Sequence, residues 1–582
     1  MRGMKKLLLG NDAVARGLYE AGCRVVSSYP GTPSTEITEA VARYEEIYAE
    51  WAPNEKVAAE VALGAAMGGA RSFCGMKHVG LNVAADPVFT ASYTGVNAGM
   101  VIGVADDPGM HSSQNEQDSR HYAMAAKLPM LEPADSGECR DFAALAFALS
   151  ERFDTPVLLR LVTRISHSQS LVELRERADE PLKDYVKNPA KNIMMPANAK
   201  QRHPVVEQRM LDLAAFAETT ELNREELHSR KLGVICAGIN YQYCREALGE
   251  NASYLKLGLV HPLPVERIRA FAAKVDQVVV VEDLDDVIET HCKKIGVDCV
   301  GKALFPWVDE FSQRLVREKL SLTQPDYTAY PGGALPARPP VMCAGCPHRG
   351  LFYVLNKLKL TVFGDIGCYT LGAAPPLQAI DTVVCMGASI SGLHGFTKAR
   401  GPESARRAVA VIGDSTFMHS GLTGLVDIVY NKGVGTVVVL DNSITGMTGH
   451  QQNPTTGLTL QNEPTPIVSI EKVCEAIGVR RVHIVDPNDL EAVEALLRQE
   501  TAADEPSVII TRRPCALLKG VQHHPPFQID RDKCRSCKMC LRIGCPAIRM
   551  ADGKAEVDET LCVGCGLCKG LCAFDAIREG VQ

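Results

Sequence analysis

Cysteine is the residue type whose spacing says most in this 582-residue sequence. Near the C-terminus the chain reads Cys534-x2-Cys537-x2-Cys540-x4-Cys545-Pro546 and then Cys562-x2-Cys565-x2-Cys568-x3-Cys572. Three thiolates at consecutive x2 spacings wrap one corner of an iron–sulfur cubane, and the fourth, more distant cysteine of each run ligates the other cluster of a pair. The spacing therefore assigns Cys534, Cys537, Cys540 and Cys572 to one [4Fe-4S] cluster, and Cys562, Cys565, Cys568 and Cys545 to a second. Structural zinc competes for clustered thiolates, but it normally takes two knuckles of two ligands each rather than three cysteines in so short a run.

A second group suits a hard cation beside an anion. The apolar run Val409–Ile412 ends in Gly413-Asp414-Ser415, a helix-like stretch reaches Lys432, and a second apolar run, Thr436–Leu440, ends in Asp441-Asn442-Ser443-Ile444. Two strand ends supplying Asp and Asn oxygens, with a helix N-terminus between them, provide what a magnesium-bound diphosphate needs. A bare strand-Gly-Asp turn is the plainer alternative for any one such motif.

The elements that must hold these groups follow from periodicity. From Lys6 to about Thr163, Ala/Gly-rich helical stretches alternate with short apolar runs such as Met100–Ala105 and Val157–Val162, the rhythm of a parallel α/β sheet. Pro181, Pro189, Pro196 and Pro204 punctuate a polar connection over 166–227. A middle α/β unit over 228–324 carries Leu232–Ala237 and Val278–Val281. The Pro/Gly-rich stretch 325–341 reads as a linker. A third α/β unit spans 342–520, and the Pro/His stretch 514–527 leads into the cysteine-rich tail, 528–582, as a separate module.

Composition limits the alternatives. The net charge of -7 offers no broad basic field for nucleic acid. The first apolar run is too short for a secretory signal, and no later run spans a bilayer, so a cytoplasmic protein with no membrane partner is expected. Twenty-one cysteines in a reducing compartment are not a disulfide framework.

These motifs carry a resemblance. The tail resembles the bacterial two-cluster ferredoxin domain, departing from it in the x4 spacing before Cys545 and in Ala573 where proline is usual. The Gly413-Asp414 and Asn442 pair resembles the thiamine diphosphate signature, with Ser415 in place of the third motif glycine and Asp441 in place of the first Asn. That resemblance implies Asp414, the Asn442 side chain and the Ile444 carbonyl as magnesium ligands, with Gly413 letting the diphosphate approach. Cys343-Ala-Gly-Cys346 and Gly364-Asp-Ile-Gly-Cys368 match the CxGC and GIGC motifs of ferredoxin-dependent 2-oxoacid oxidoreductases. The match implies a third, proximal [4Fe-4S] cluster on Cys343, Cys346 and Cys368, with Cys515 as fourth ligand unless it is a buried core thiol.

Toward the N-terminus, residues 55–71 look like the pyrimidine-binding helix of thiamine enzymes, whose carboxylate activates the aminopyrimidine. The distance to Arg71 favours Glu60 over Glu55, the plain alternative being a solvated helix-face charge. Tyr29-Pro-Gly-Thr-Pro-Ser34 matches the YPxTPS loop, giving Thr32 the substrate carboxylate. His78, His111 and Asp118 stand on further loops after strand-like runs, without assigned roles.

Taken together, the chain resembles the large subunits of indolepyruvate:ferredoxin oxidoreductases over essentially its whole length. The resemblance implies a multidomain α/β fold. A pyrimidine-binding domain (1–165) and a diphosphate-binding domain (342–520) carry open parallel sheets like those of thiamine enzymes, and 528–582 is ferredoxin-like. It further implies oxidative decarboxylation of aryl pyruvates with coenzyme A, reduction of ferredoxin, and a smaller beta subunit as partner. A pyruvate-type oxidoreductase, or a pure iron–sulfur electron carrier, is the competing reading.

Overall fold

The computed structural model describes residues 4–325, 332–336 and 338–580. Residues 326–331 and 337 of the expected linker at 325–341 therefore lie outside the described residues. The chain divides into two compact units, Met1–Ala329 and Tyr330–Gln582.

The first unit is built on a seven-stranded sheet. Its order is Leu259–His261, Met130–Leu131, Val157–Val162, Met100–Asp106, Ser72–Lys77, Val25–Ser28 and Tyr48–Trp51. All neighbours pair parallel except the first two. Ser72–Lys77, Met100–Asp106 and Val157–Val162 are buried along their whole length, as strands covered on both faces by helices must be. A smaller sheet, ordered Val278–Val281, Gly233–Ala237, Ser253–Leu257 and Arg224–Glu226, accounts for the expected middle unit.

The two sheets are less separate than the sequence suggests. Leu259–His261, from the middle stretch, extends the first sheet. Ile102, Val104 and Leu158 share one core with Ile235, Leu255 and Phe271. The connection over 166–227 is also more ordered than its prolines imply. Gln169–Glu173 pairs antiparallel with Lys5–Leu9, and Pro196–Thr219 is a 24-residue helix. Pro196 stands at the first helical position, where a missing amide costs nothing, while Pro204 leaves the Lys200 carbonyl without an i+4 amide.

A buried ion network clamps the two sheets together. Arg120 donates to Asp118 (2.9 Å) and Glu282 (2.6 Å), and Arg160 to Asp106 (2.7 Å). Asp118 is thus buried, held by Arg120. Arg120→Met would strand two buried carboxylates and should cost about 3–5 kcal/mol. The loss should read as a lower denaturant midpoint at unchanged slope. A change under about 1 kcal/mol, the scale of an exposed pair, would show that the network carries no such load.

The second unit centres on a five-stranded, fully parallel sheet ordered Thr361–Phe363, Ala408–Gly413, Thr436–Asp441, Ser507–Arg512 and Arg481–Val485. The tail adds two antiparallel ladders, Phe527–Ile529 with Ile577–Glu579 and Ile548–Ala551 with Lys554–Val557. The tail is not set apart as a compact unit of its own. It belongs to the same compact unit as the five-stranded sheet, and the buried Arg349 side chain bonds the carbonyls of Ile543 and Gly544 within it. No helix among the described residues is long and apolar enough to cross a membrane.

Candidate functional site

In the second unit, Ala408–Gly413 runs out of the buried core and turns into a helix at Asp414–Thr416. A single π-turn over Phe417–Gly421 follows, and the helix resumes over Leu422–Tyr430. Such π-turns recur at functional positions because they re-aim side chains without ending a helix. Gly413 is required for shape, since a Cβ there would stand 2.6 Å from the Tyr369 ring.

Asp414 is 3% exposed. Its Oδ1 accepts the Ser415 amide (2.6 Å), while Oδ2 is buried without a hydrogen-bond partner. Burial, with Asp441 adding to it, pushes the carboxyl up to about 8, against the pull of amides from Ser415, Ser443 and Ile444. An unpaired buried carboxylate oxygen at a strand end is what a divalent cation would satisfy.

The Thr436–Asp441 strand brings Asn442 and Ile444 to the same place, both buried. The Asn442 amide donates to Nε2 of buried His348 (3.5 Å), which turns its Oδ1 the other way, and burial drives His348 down to about 4, so it stays neutral. Asp441 accepts from Arg512 (2.7 Å) and Ser443 (3.2 Å). Its charge is thus occupied in holding the turn. Ser415, also buried, contributes its amide to Asp414.

The upstream cysteines converge beside this turn. Burial pushes Cys346 up to about 12 and Cys368 up to about 11. Cys343 and Cys368 act on the first, Cys515 and Cys343 on the second. Cys515 feels both Cys343 and Asp414, and its amide donates to the Asn442 carbonyl (2.9 Å). A Cβ built at Gly446 would stand 3.5 Å from Cys368 Sγ and 3.9 Å from Asn442 Nδ2, so thiol and amide face one spot.

In the tail, Cys545, Cys562, Cys565 and Cys568 line one cavity, and Cys534, Cys537, Cys540 and Cys572 line another. Neither cavity borrows a cysteine from the other set. Among the described residues no three Cys, His, Asp or Glu side chains close on a single-ion site.

In the first unit, the loops named from sequence gather at the carboxyl ends of the parallel strands, where open α/β sheets place their sites. Thr32 is half-buried, and its carbonyl accepts from Ser112 Oγ (3.4 Å). Buried Lys77 lies along Gly31 and donates to the Ser112 carbonyl (3.0 Å). Buried His78 donates to the Asn115 carbonyl (3.2 Å), whereas His111 stands at the surface beside Glu310 (3.2 Å).

Glu60 and Glu55 lie on different faces of their helix. The Glu60 side chain is 45% exposed on the outer face of Glu55–Met67, paired with Lys56 one turn earlier. Glu55 is 4% exposed and lies so close over Gly80 that a Cβ there would meet its Oε1 at 2.6 Å. A signal for this was present in the sequence. Lys56-x3-Glu60 is an i,i+4 pair of a solvated helix face, and Asn54, whose Oδ1 accepts the Val57 amide (2.9 Å), starts the helix with Glu55 in its first turn. His348 and Arg349 were missed, because a single buried polar residue carries no spacing signature.

Two domain models match the chain: "Pyruvate flavodoxin/ferredoxin oxidoreductase, thiamine diP-bdg" over residues 16–230, and "Thiamine pyrophosphate enzyme, C-terminal TPP binding domain" over residues 365–511. The indolepyruvate oxidoreductase subunit IorA of Methanothermobacter marburgensis is 40% identical, over 99% of this chain and 98% of the relative. The same-named subunit of Thermococcus kodakarensis is likewise 40% identical, over 99% and 98%. A 2-oxoglutarate synthase subunit KorA of Archaeoglobus fulgidus is 24% identical over 52% of this chain and 96% of the relative. Shared sequence across its whole length makes the chain a member of the IorA family of indolepyruvate oxidoreductase subunits.

Proposed function

We propose that this chain is the cofactor-bearing subunit of a cytoplasmic enzyme that decarboxylates aryl pyruvates, indolepyruvate among them. It transfers the acyl group to coenzyme A, releases carbon dioxide and reduces ferredoxin, working with a smaller beta subunit. The observation that carries the reading is the adjacency of Asp414 and Asn442 to Cys368 and Cys515. A thiamine site walled by thiols suits removal of electrons one at a time. Full-length kinship with indolepyruvate oxidoreductase subunits, against partial kinship with a 2-oxoglutarate synthase subunit, supports the aryl substrate class. The reducing cytoplasm agrees with cysteines that are all unpaired.

Thiamine diphosphate, when bound, stabilises the carbanion left by decarboxylation, and the iron–sulfur groups take up single electrons. The rest falls to the chain's own residues. Asp414 Oδ2, Asn442 Oδ1 and the Ile444 carbonyl would hold magnesium, and Gly413 would leave room for the diphosphate. Glu55, in place of Glu60, would hold the aminopyrimidine proton in its buried first turn. Thr32 would bond the substrate carboxylate. Cys343, Cys346, Cys368 and Cys515 would hold the proximal [4Fe-4S] cluster, and the two tail cavities one each.

The crossed pairing in the tail has its own test. Cys534→Ala/Cys572→Ala removes two ligands of one cavity and should lower iron from about twelve to about eight per chain. Cys562→Ala/Cys572→Ala injures both cavities and should leave about four. The reverse order, about four in the first variant and about eight in the second, would refute the crossing.

A further inference from the structure

Arg349 is used by neither the thiamine turn nor any ligand set, yet it is one of the most confined charges in the second unit, at 2% exposure. It sits at the start of His348–Leu358, three residues after Cys346. Its Nε donates to the Cys343 carbonyl (3.1 Å), and Nη2 donates to the same carbonyl (3.0 Å) and to that of Met342. Nη1 turns the other way, to the carbonyls of Ile543 (3.1 Å) and Gly544 in the tail. No carboxylate is among these partners.

The same side chain lines the tail cavity of Cys545, Cys562, Cys565 and Cys568, together with Ala344 and Gly345 of the Cys343–Cys346 loop. It does not line the cavity of Cys534, Cys537, Cys540 and Cys572. The long spacing between Cys540 and Cys545 contributes directly. A turn over Met539–Ile543 closes at Gly544 with φ 68°, and the two carbonyls that meet Arg349 are those of its last residue and of Gly544.

A buried cation left without a carboxylate is costly unless an anion shares its surroundings. Thiolate-ligated clusters are such anions, and nearby charge is one of the levers that set their potential. Resting on the cluster assignment above, we propose that Arg349 is a positioning residue of the electron exit. It ties the Cys343–Cys346 loop to the Cys545 loop, and its charge favours the reduced state of the cluster held by Cys545, Cys562, Cys565 and Cys568. An electron arriving there from the Cys343 side makes and breaks no bond and moves no proton, so the charge acts on the equilibrium alone.

The test uses the full-length chain, purified anaerobically with its partner subunit, as wild type, Arg349→Gln and Arg349→Lys. Iron per chain is measured first, then the midpoints of the two tail clusters by EPR-monitored titration. With iron unchanged, Arg349→Gln should make the Cys545-side cluster at least tenfold harder to reduce relative to the Cys534-side cluster. That is a fall of about 59 mV in the difference between their midpoints. Arg349→Lys, which keeps the charge, should hold the difference within about threefold, or roughly 28 mV. An unchanged difference in fully loaded Arg349→Gln overturns the proposal. Should Arg349→Gln lose iron, Arg349→Lys decides: full iron with a wild-type difference supports the charge, and a tenfold fall despite it overturns the proposal. Wild-type iron near eight per chain would instead count against the proximal cluster, a separate failure.

Discussion

Replacing Asp414 by alanine should give a folded, iron-replete protein with no thiamine diphosphate. The carboxylate stands where a strand end meets a helix N-terminus, buried, with one oxygen on the Ser415 amide and the other without a hydrogen-bond partner. A divalent cation would satisfy that oxygen. Changes to outer-shell partners of a metal already cost about 10–100-fold in affinity, so loss of the ligand itself should weaken magnesium-diphosphate binding by more than about 100-fold. The substitution also removes a carboxyl that burial has pushed up to about 8, so the cofactor-free fold should be at least as stable as the wild type. Cofactor content, iron content and a denaturation curve on one preparation separate these effects. Normal thiamine content in Asp414→Ala would remove this turn from the site.

The second large effect belongs to Glu55. Glu55→Gln should retain the cofactor and lose turnover by about 10²–10⁴-fold, the usual worth of a positioned proton-transfer group. Glu60→Gln should stay near wild type, because its charge already lies in water beside Lys56. Glutamine is nearly the same size as glutamate, so the packing over Gly80 survives and the difference reports the proton alone. An active Glu55→Gln beside an inactive Glu60→Gln would restore the reading made from sequence.

How much could be read without coordinates follows from the kind of signal each residue sends. The eight tail cysteines stand out in the sequence because ligand spacing is local, and in the structure they line two cavities, four to each. Asp414 and Asn442 were legible because each ends an apolar run, and strand pairing of Val409–Gly413 with Thr436–Leu440 brings the ends together. The distance to Arg71 points to Glu60, whereas helix phase puts Glu60 on the exposed face and Glu55 on the buried one. Glu55 and Glu60 are five positions apart, more than a turn, and only the first faces inward. The prolines of the 166–227 connection hid a 24-residue helix because proline at a first helical position reads the same as proline in a coil. Arg349 was invisible, since all its partners are backbone carbonyls, two of them in the distant tail, and carbonyls have no sequence identity.

The most direct test of the whole account is anaerobic turnover by the chain with its partner subunit, using coenzyme A and oxidised ferredoxin against a panel of indolepyruvate, phenylpyruvate, pyruvate and 2-oxoglutarate. The account predicts that the two aryl pyruvates give the highest kcat/KM. It also predicts two electrons delivered to ferredoxin for each carbon dioxide and each aryl-acetyl-CoA formed. Preference for pyruvate or 2-oxoglutarate would contradict the substrate class. Carbon dioxide released without ferredoxin reduction would contradict the link between the Asp414 turn and the cysteines beside it.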